Sequence, residues 1–510
     1  MHILSAAGWS FLRMAIAYML SLLFAIPYGI AAATSSKRER WMIPLIDILQ
    51  SVPIVTFFPV AILFFIKLGG GSRIGVEMAS IFLIFTCQVW NLAFSVYETV
   101  KTFPRELLYL ADAYKLPPMT RIRYFYIPAM IPGLVYNSMM SWANGWYFLI
   151  ASEIFSVGSQ EYRLPGLGTQ IYESIARGDM WGMVWALIAL VSIVLFMQFA
   201  IWNSLRRWAK MFEYSYEPVE IYKPTFVEWI EEFSYKFHIE KIFYDAMYRI
   251  WAFFHNRWVK YAIKIILYIL VLSLLYGIYK FFVWLFVPLP SGIWKVFPAL
   301  WATTVRIFIA YIISLVVILM PSYWLAVRKE EDDRVEDIIL AFVSVFSSIP
   351  ASAFFPLIVH FMVNYLGSME SGAVFIYVMS MVWYIIYNVL FGAKSIPKPL
   401  KNLASVFKIR GFLFARTVFF PSIFPPLITG SITGWGAAWN ASVVAEYMIF
   451  SGKVFSVFGI GSFLVIYLTD NPKLMMWGAM IMAIYVVLLN KFVWQPLYNL
   501  AERRYRRGEW

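Results

Sequence analysis

Stretches of mostly apolar residues long enough to cross a bilayer recur from one end of this chain to the other. They fall at 9–34, 77–100, 131–154 and 181–203, then at 261–287, 299–327, 335–365, 373–390, 423–450 and 474–496. A further apolar stretch, 41–67, is interrupted by Pro44, Pro53 and Pro59 and is not expected to be one straight helix. A hydrocarbon layer about 30 Å thick takes roughly 20 helical residues to cross, and lipid offers no partner to an unpaired backbone group. The expected fold is an all-α polytopic membrane protein with about 11 transmembrane helices, five in the first half and six in the second. Composition leaves little room for a soluble alternative. Of the 510 residues 61% are hydrophobic and only 14% charged, against about 25% charged in a soluble domain.

A formal net charge of +13 would suggest nucleic acid if the chain were soluble. Here the basic residues gather in loops between spans, as on a cytoplasmic face beside anionic lipid, and no nucleic-acid partner is expected. One side receives Lys37, Arg38 and Arg40; Lys101, Arg105, Lys115, Arg121 and Arg123; Arg206 and Arg207; and Lys394, Lys398, Lys401, Lys408, Arg410 and Arg416. The other receives Lys67, Arg73, Arg163, Arg177, Lys295, Lys453 and Lys473. The bias predicts a multi-pass protein of the cell membrane with its N-terminus outside and its C-terminus in the cytoplasm. The single cysteine, Cys87, sits in an apolar run and reads as a small buried residue. The four histidines form no metal-like cluster, so no metal site is expected.

The chain repeats itself. Arg13, Tyr18, Trp90, Pro104, Ala111, Pro128, Trp142, Trp146, Glu153, Gly166 and Gly168 each recur 293 positions on, as Arg306, Tyr311, Trp383, Pro397, Ala404, Pro421, Trp435, Trp439, Glu446, Gly459 and Gly461. Ser51-Val-Pro and Phe57-Phe58-Pro recur as Ser348-Ile-Pro and Phe354-Phe355-Pro, 297 positions on. Equivalent spans run the same way, so the repeats are parallel and their pseudo-two-fold axis runs along the membrane normal. The expected division is a first repeat at 1–205, an amphipathic cytoplasmic or interfacial linker at 206–260, and a second repeat at 261–510.

A pathway between parallel halves makes some in-span residues candidates for its lining. Trp142, Asn144, Trp146, Trp435, Trp439 and Asn440 are aromatic or amide groups at helical spacing, suited to line a pathway or equally to pack helices together. Phe57, Phe58, Phe354 and Phe355 suit a hydrophobic constriction or ordinary core packing. Glu153 and Glu446 lie near the outer ends of their spans, where a carboxylate is either solvated or, as their symmetry suggests, structural or part of an external gate.

The segments 103–128 and 396–421 are the polar interruptions that the repeat pairs. With the Ser-hydrophobic-Pro, Phe-Phe-Pro, tryptophan and Gly-x-Gly pattern around them, the chain resembles a fused pair of permease subunits of a binding-protein-dependent ABC importer. The resemblance is to the nitrate/sulfonate/taurine-type branch and covers most of both halves outside the linker. Permeases of that family carry a cytoplasmic loop of the form EAA-x3-G-x9-I-x-L-P. Here Ala111 and Ala404 hold the last alanine of that motif, and Pro128 and Pro421 its final proline. Lys115 and Lys408 stand at its glycine, and its glutamate is absent from both halves. The first repeat also lacks the span that such permeases carry before the Arg13-like position.

The resemblance implies a type I ABC importer permease fold that forms the solute pathway between its halves. It implies two separate ATP-binding subunits on the cytoplasmic side, docked on the loops through Arg105, Ala111, Lys115, Arg121, Arg123 and Pro128, and through Lys398, Ala404, Lys408, Arg410, Arg416 and Pro421. It also implies an extracytoplasmic solute-binding protein. ATP and Mg would belong to the partner, because no GxxxxGK[ST] loop occurs here and no catalytic residue is expected. A non-transporting membrane scaffold or sensor and a secondary transporter stay open as alternatives. A membrane-impermeant label placed within 35–40 is expected to react only from the cytoplasmic side, and one within 69–73 only from outside; the reverse pattern would invert the topology.

Overall fold

The computed structural model describes residues 3–51, 54–157, 160–212, 289–327, 368–394, 396, 398–450 and 453–501, with isolated positions between 261 and 279 and between 339 and 358. The spans expected at 261–287 and 335–365, nearly all of the linker, and Phe354 and Phe355 lie outside the described residues. Seven helical segments among the described residues are long and apolar enough to cross a membrane.

In the first half, α1 (Ile3–Ala33) leads into α2 (Ser36–Ser51) and α3 (Ile54–Leu68). The proline-interrupted stretch is thus two helices, and the first begins five residues earlier than the apolar run. Next come α4 (Arg73–Lys101), the short α5 (Arg105–Ala113), α6 (Ile127–Tyr147) and α7 (Leu149–Glu153). An antiparallel hairpin follows, β1 (Ile154–Val157) with β2 (Gln160–Arg163), pairing Ile154 with Arg163. Then α8 (Leu167–Arg177) and α9 (Met180–Phe196) close the half.

The second half repeats the order. It has α10 (Val296–Val327), α11 (Met369–Lys394), the short α12 (Lys398–Val406), α13 (Phe420–Glu446), a hairpin of β3 (Tyr447–Phe450) with β4 (Lys453–Ser456), α14 (Ile460–Asp470) and α15 (Pro472–Leu489). Among the described residues the hairpins are the one departure from an all-helical fold. Strands of four residues are too short to give an alternation signal in the sequence.

Each half packs around one tryptophan. Trp142 meets Tyr18 and Trp202 edge-on, with ring centroids 5.5 and 6.2 Å away. Trp435 meets Tyr311 and Trp494 in the same way at 5.9 and 5.5 Å. Edge-to-face contacts suit the ring quadrupole, and each tyrosine hydroxyl finds a serine, Ser138 or Ser431. Trp146 and Trp439 are almost completely buried. Without water to drive apolar side chains together, such fitted contacts are what holds helices against one another in lipid.

The halves also meet. Met140 of α6 packs with Tyr387 of α11 in one buried cluster. The N–H of Ile54, at the start of α3, donates to Asn440 Oδ1 of α13 at 2.5 Å. At one edge, Glu39 ties α2 to the end of α4 by accepting from Lys101 at 2.5 Å and Tyr97 at 2.7 Å. The Lys101 bond, then the Tyr97 bond, hold the Glu39 carboxyl below its ordinary range. That tie is at full strength at neutral pH and fades only as pH falls through the lowered value.

Candidate functional site: two ion clusters, two left-handed loops and a cavity

The two outer-end glutamates are not solvated. Glu153 and Glu446 are fully buried, each against the arginine of its own half. Arg13 donates from NH1 to Glu153 Oε1 at 2.9 Å and to the Pro165 carbonyl at 2.8 Å. Its Nε and NH2 grip both oxygens of Glu77, at 2.6 and 2.9 Å. Arg306 does the same with Glu446 at 3.0 Å, the Phe458 carbonyl at 2.8 Å, and Glu370 at 2.5 and 2.8 Å.

The carboxylate needs more than the guanidinium, because a buried charge must fill its remaining lone pairs. Ser10 donates to Glu153 at 2.6 Å, and Thr303 to Glu446 at 2.6 Å. The second oxygen of Glu153 accepts the Gly168 N–H at 2.7 Å, and that of Glu446 the Gly461 N–H at 2.7 Å. Each carboxylate therefore caps the N-terminus of α8 or α14, where the helix dipole favours negative charge. Ser10 and Thr303 also accept the N–H groups of Leu167 and Ile460. Tyr377 adds a donor to Glu446 at 2.9 Å that the first half lacks.

This explains the Gly-x-Gly motif. A Cβ at Gly166 would stand 2.1 Å from the Glu153 oxygens, and one at Gly459 would stand 2.2 Å from a Glu446 oxygen. Sequence reasoning missed Ser10, Glu77, Thr303, Glu370 and Tyr377. The signal for the second glutamate was present, since Glu77 and Glu370 are 293 positions apart like their arginines.

The two polar loops carry one backbone device. Lys115 and Lys408 have φ of 51° and 55°, the positive-φ residues other than glycine among those described. Each follows the end of a short helix. Lys115 N–H bonds the Asp112 carbonyl at 3.0 Å, and Leu116 N–H bonds Ala111 at 2.9 Å. Lys408 N–H bonds Ser405 at 3.0 Å, and Ile409 N–H bonds Ala404 at 2.8 Å. This is the paired bonding of a Schellman ending, in which the left-handed position is normally glycine. The motif's glycine is gone, yet its conformation remains. Ala111 and Ala404 are buried at the carbonyls that accept the longer bond.

Around these turns the loops differ. Arg121 staples the first through Asp112 at 2.5 Å and the Leu116 carbonyl at 2.8 Å, while Tyr323 holds the second by donating to the Gly411 carbonyl at 3.0 Å. Arg123 lies over the Tyr124 ring, and Arg410 and Arg416 are exposed. Arg105 and Lys398 open α5 and α12. Both loops expose large apolar groups: Tyr109, Leu110 and Tyr114 in the first, Leu403, Val406, Phe407 and Phe412 in the second. Pro128 and Pro421 sit in the first turns of α6 and α13, each after a single wide turn of π-helix, at Ile122–Tyr126 and Ala415–Phe419. A proline cannot donate to the preceding turn, and the widened turn accommodates that loss.

A cavity of about 110 Å³ lies where the halves meet. Its wall takes Gln50, Ile54, Thr86, Cys87, Trp90, Asn91, Asn144 and Phe148 from the first half, and Tyr384, Thr433, Trp435, Ala437, Trp439, Asn440, Asn490 and Trp494 among others from the second. Of the proposed lining residues, Asn144, Asn440, Trp435 and Trp439 are on this wall. Trp142 and Trp146 are core residues of the first half, Glu153 and Glu446 belong to the ion clusters, and Phe57 and Phe58 lie on α3. Among the described residues that line the cavity, none is a carboxylate, amine or guanidinium. Among the described residues no group of three His, Cys, Asp or Glu side chains is placed to hold a metal.

Two structurally equivalent halves, each a bundle of membrane-crossing helices with a short exposed loop helix, define a two-repeat membrane permease. The chain belongs to the binding-protein-dependent transport system inner membrane component family, whose model matches it twice, at residues 25–209 and 323–507. It is similar to the nitrate import permease protein NrtB of Synechocystis sp., 33% identical over 95 residues, 19% of this chain and 32% of that protein. It is also similar to the taurine transport system permease protein TauC of Escherichia coli, 24% identical over 188 residues, 37% of this chain and 63% of that protein. The glycine betaine/carnitine transport permease protein GbuB of Listeria monocytogenes is 27% identical over 178 residues, 35% of this chain and 57% of that protein. The matched segments thus span between a third and two thirds of the length of these relatives.

Removing the Glu446 carboxylate, by Glu446→Ala, leaves Arg306 with Glu370 alone and takes the acceptor from Thr303, Tyr377 and the Gly461 N–H, and is expected to cost about 3–5 kcal/mol. Gly166→Ala should destabilise comparably, whereas Gly8→Ala, whose Cβ meets nothing within 4 Å, should be neutral. Thermal unfolding in detergent ranks the three, and equal midpoints would refute the clusters' role. Lys115→Gly should relieve a left-handed strain of about 1–2 kcal/mol, while Lys115→Val should worsen it. Amide exchange at Leu116 reads the result, slower in the first variant and faster in the second.

Proposed function

We propose that this chain is the permease of an ABC importer. Its two halves form the solute pathway, and its two loops dock separate ATP-binding subunits on the cytoplasmic side. An extracytoplasmic binding protein delivers the solute. In this reading the chain crosses the membrane about 11 times, as five plus six spans, with the N-terminus outside and the C-terminus inside. The linker at 206–260 joins repeats at 1–205 and 261–510.

The observation that carries the reading is the pair of loops. A surface that passes force from a soluble motor to membrane helices has to be short, stiff and sticky. These loops are short helices closed by paired backbone bonds at Lys115 and Lys408, joined directly to α6 and α13, and faced with exposed aromatic and aliphatic groups beside basic ones. Exposed apolar clusters of that kind mark protein contact sites. The absent motif glutamate and glycine do not argue against coupling, because the left-handed turn that the glycine would provide is kept.

The solutes named for the relatives, nitrate, taurine and glycine betaine, are small and oxygen-bearing, and a solute of that class is the expectation for this chain. Affinity-tagged full-length chain, extracted from the membranes of its own cells, is expected to bring down an ATPase. Lys115→Glu with Lys408→Glu should weaken that capture by about tenfold or more, the factor that 1.4 kcal/mol gives. Capture of no ATPase by the unaltered chain would refute the importer and favour a scaffold or a secondary transporter.

A further inference from the structure

The first turns of α2 carry more positive charge than their surroundings answer. Lys37, Arg38 and Arg40 are all exposed there. Arg38 donates to the Thr34 hydroxyl at 3.1 Å, a neutral partner. The one carboxylate among them, Glu39, is already taken by Lys101 at 2.5 Å and by Tyr97 at 2.7 Å. Lys37 and Arg40 therefore have no carboxylate partner among the described residues. Standing three apart, they are neighbours on the helix surface. The repeat does not require this excess. Between α10 and the Ser348-Ile-Pro motif, the sequence of the second half sets Arg328, Lys329 and Arg334 against Glu330, Glu331, Asp332 and Asp333.

The same turns open an exposed stripe. Lys37, Trp41, Leu45 and Leu49 follow one another at steps of four, and all are exposed, while Met42 and Ile46 on the other face are buried. Residues four apart stand one above the other on a helix. From Lys37 to Leu49 is about 18 Å at the helical rise. One leaflet of hydrocarbon is about 15 Å deep, and an indole commonly marks its boundary with water. A cation, an indole and two leucines in that order match a phospholipid read from phosphate to acyl chain. An acidic protein surface would meet the cations and leave the leucines unmatched, and so would a free phosphate.

We propose that the start of α2 is a contact for an anionic phospholipid, and that this contact positions the first polar loop. Lys37 and Arg40 hold a headgroup whose phosphate no choline neutralises, and the Trp41–Leu45–Leu49 stripe takes an acyl chain. Glu39 lies between the two cations. Its bond to Lys101 reaches the last residue of α4, just before α5 begins at Arg105. A lipid that fixes the first turns of α2 thus fixes Glu39, and through it the entry to the loop. The contact stands apart from the import reading; the use made of a steadied loop rests on that reading.

The full chain in lipid nanodiscs tests both steps. Native mass spectrometry of the chain released from mixed discs is expected to show phosphatidylglycerol retained severalfold over phosphatidylcholine. Lys37→Gln with Arg40→Gln should remove that preference, and Lys37→Arg should keep it. An unchanged preference in the double variant overturns the contact. An equal loss in Arg206→Gln with Arg207→Gln, another basic pair expected on that side, also overturns it, because any surface charge would then serve.

Amide exchange over residues 102–108 reads the second step. Phosphatidylglycerol discs should slow it severalfold relative to phosphatidylcholine discs in the unaltered chain. Glu39→Gln should abolish that difference and leave lipid retention intact. A difference that survives in Glu39→Gln, or none in the unaltered chain, overturns the link to the loop. Millimolar inorganic phosphate in phosphatidylcholine discs should not slow exchange; slowing would assign the cations to free phosphate and overturn the lipid. Neither readout uses an ATPase, so the import reading, tested by ATPase capture, fails or stands separately.

Discussion

A carboxylate buried in a membrane protein has to be surrounded by donors, and Glu153 and Glu446 are. Each gathers a guanidinium, a hydroxyl and a helix-start N–H, from pieces of chain far apart in sequence. The cluster therefore fixes four things at once: α1 or α10, α4 or α11, the end of the long helix at the carboxylate, and the helix that follows the hairpin. Removing its arginine would leave a fully buried carboxylate where neither water nor lipid can take the charge. Such a cluster contributes less to net stability than to choice of arrangement, since few other packings would satisfy all of its members together. Glu77 and Lys101 lie on one helix, roughly 36 Å apart at the α-helical rise. The cluster thus anchors the end of α4 remote from the loop, and a push on the loop acts on a helix held at its far end.

The loops show how a motif can lose a residue and keep its geometry. A lysine in the left-handed region costs about 1–2 kcal/mol relative to glycine, and the same cost is borne at the same place in both halves. Two backbone bonds and a buried alanine over-determine each turn, which is the condition under which strain persists. The same strain is kept twice, at equivalent positions of the two repeats. The loops otherwise diverge, one stapled by Arg121 and the other held by Tyr323, so they are alike in backbone and unlike in side chain.

Pseudo-symmetry gives the fold, and departures from it give the chemistry. The tryptophan–tyrosine cores and the ion clusters recur nearly atom for atom, which is expected of groups that serve packing. The cavity wall recurs poorly. Asn91 stands where the second half has Tyr384, Ala437 where the first half has Asn144, and Asn490 occupies the turn where the first half has Gln198.

Membrane crossing, the parallel repeat and the polar loops were legible in the chain alone. Apolar run length and the cost of an unpaired backbone group in lipid admit few other folds, and a fixed 293-residue spacing is a long-range signal that survives without coordinates. The glycine position of the loop motif was legible too, though only the dihedral angles revealed that Lys115 and Lys408 adopt the glycine conformation. The roles of Glu153, Trp142 and Asn144 were not legible. An in-span carboxylate, indole or amide reads the same whether it gates, packs or lines a pathway, because periodicity names a helix face and not the neighbour across from it. Only tertiary structure could decide that. It placed Arg13 within hydrogen-bond reach of two glutamates 64 and 140 residues away, and it set Asn144 against a tyrosine of the other half. The partners of a buried polar group are chosen by the packing of whole helices, and no local stretch of sequence contains them.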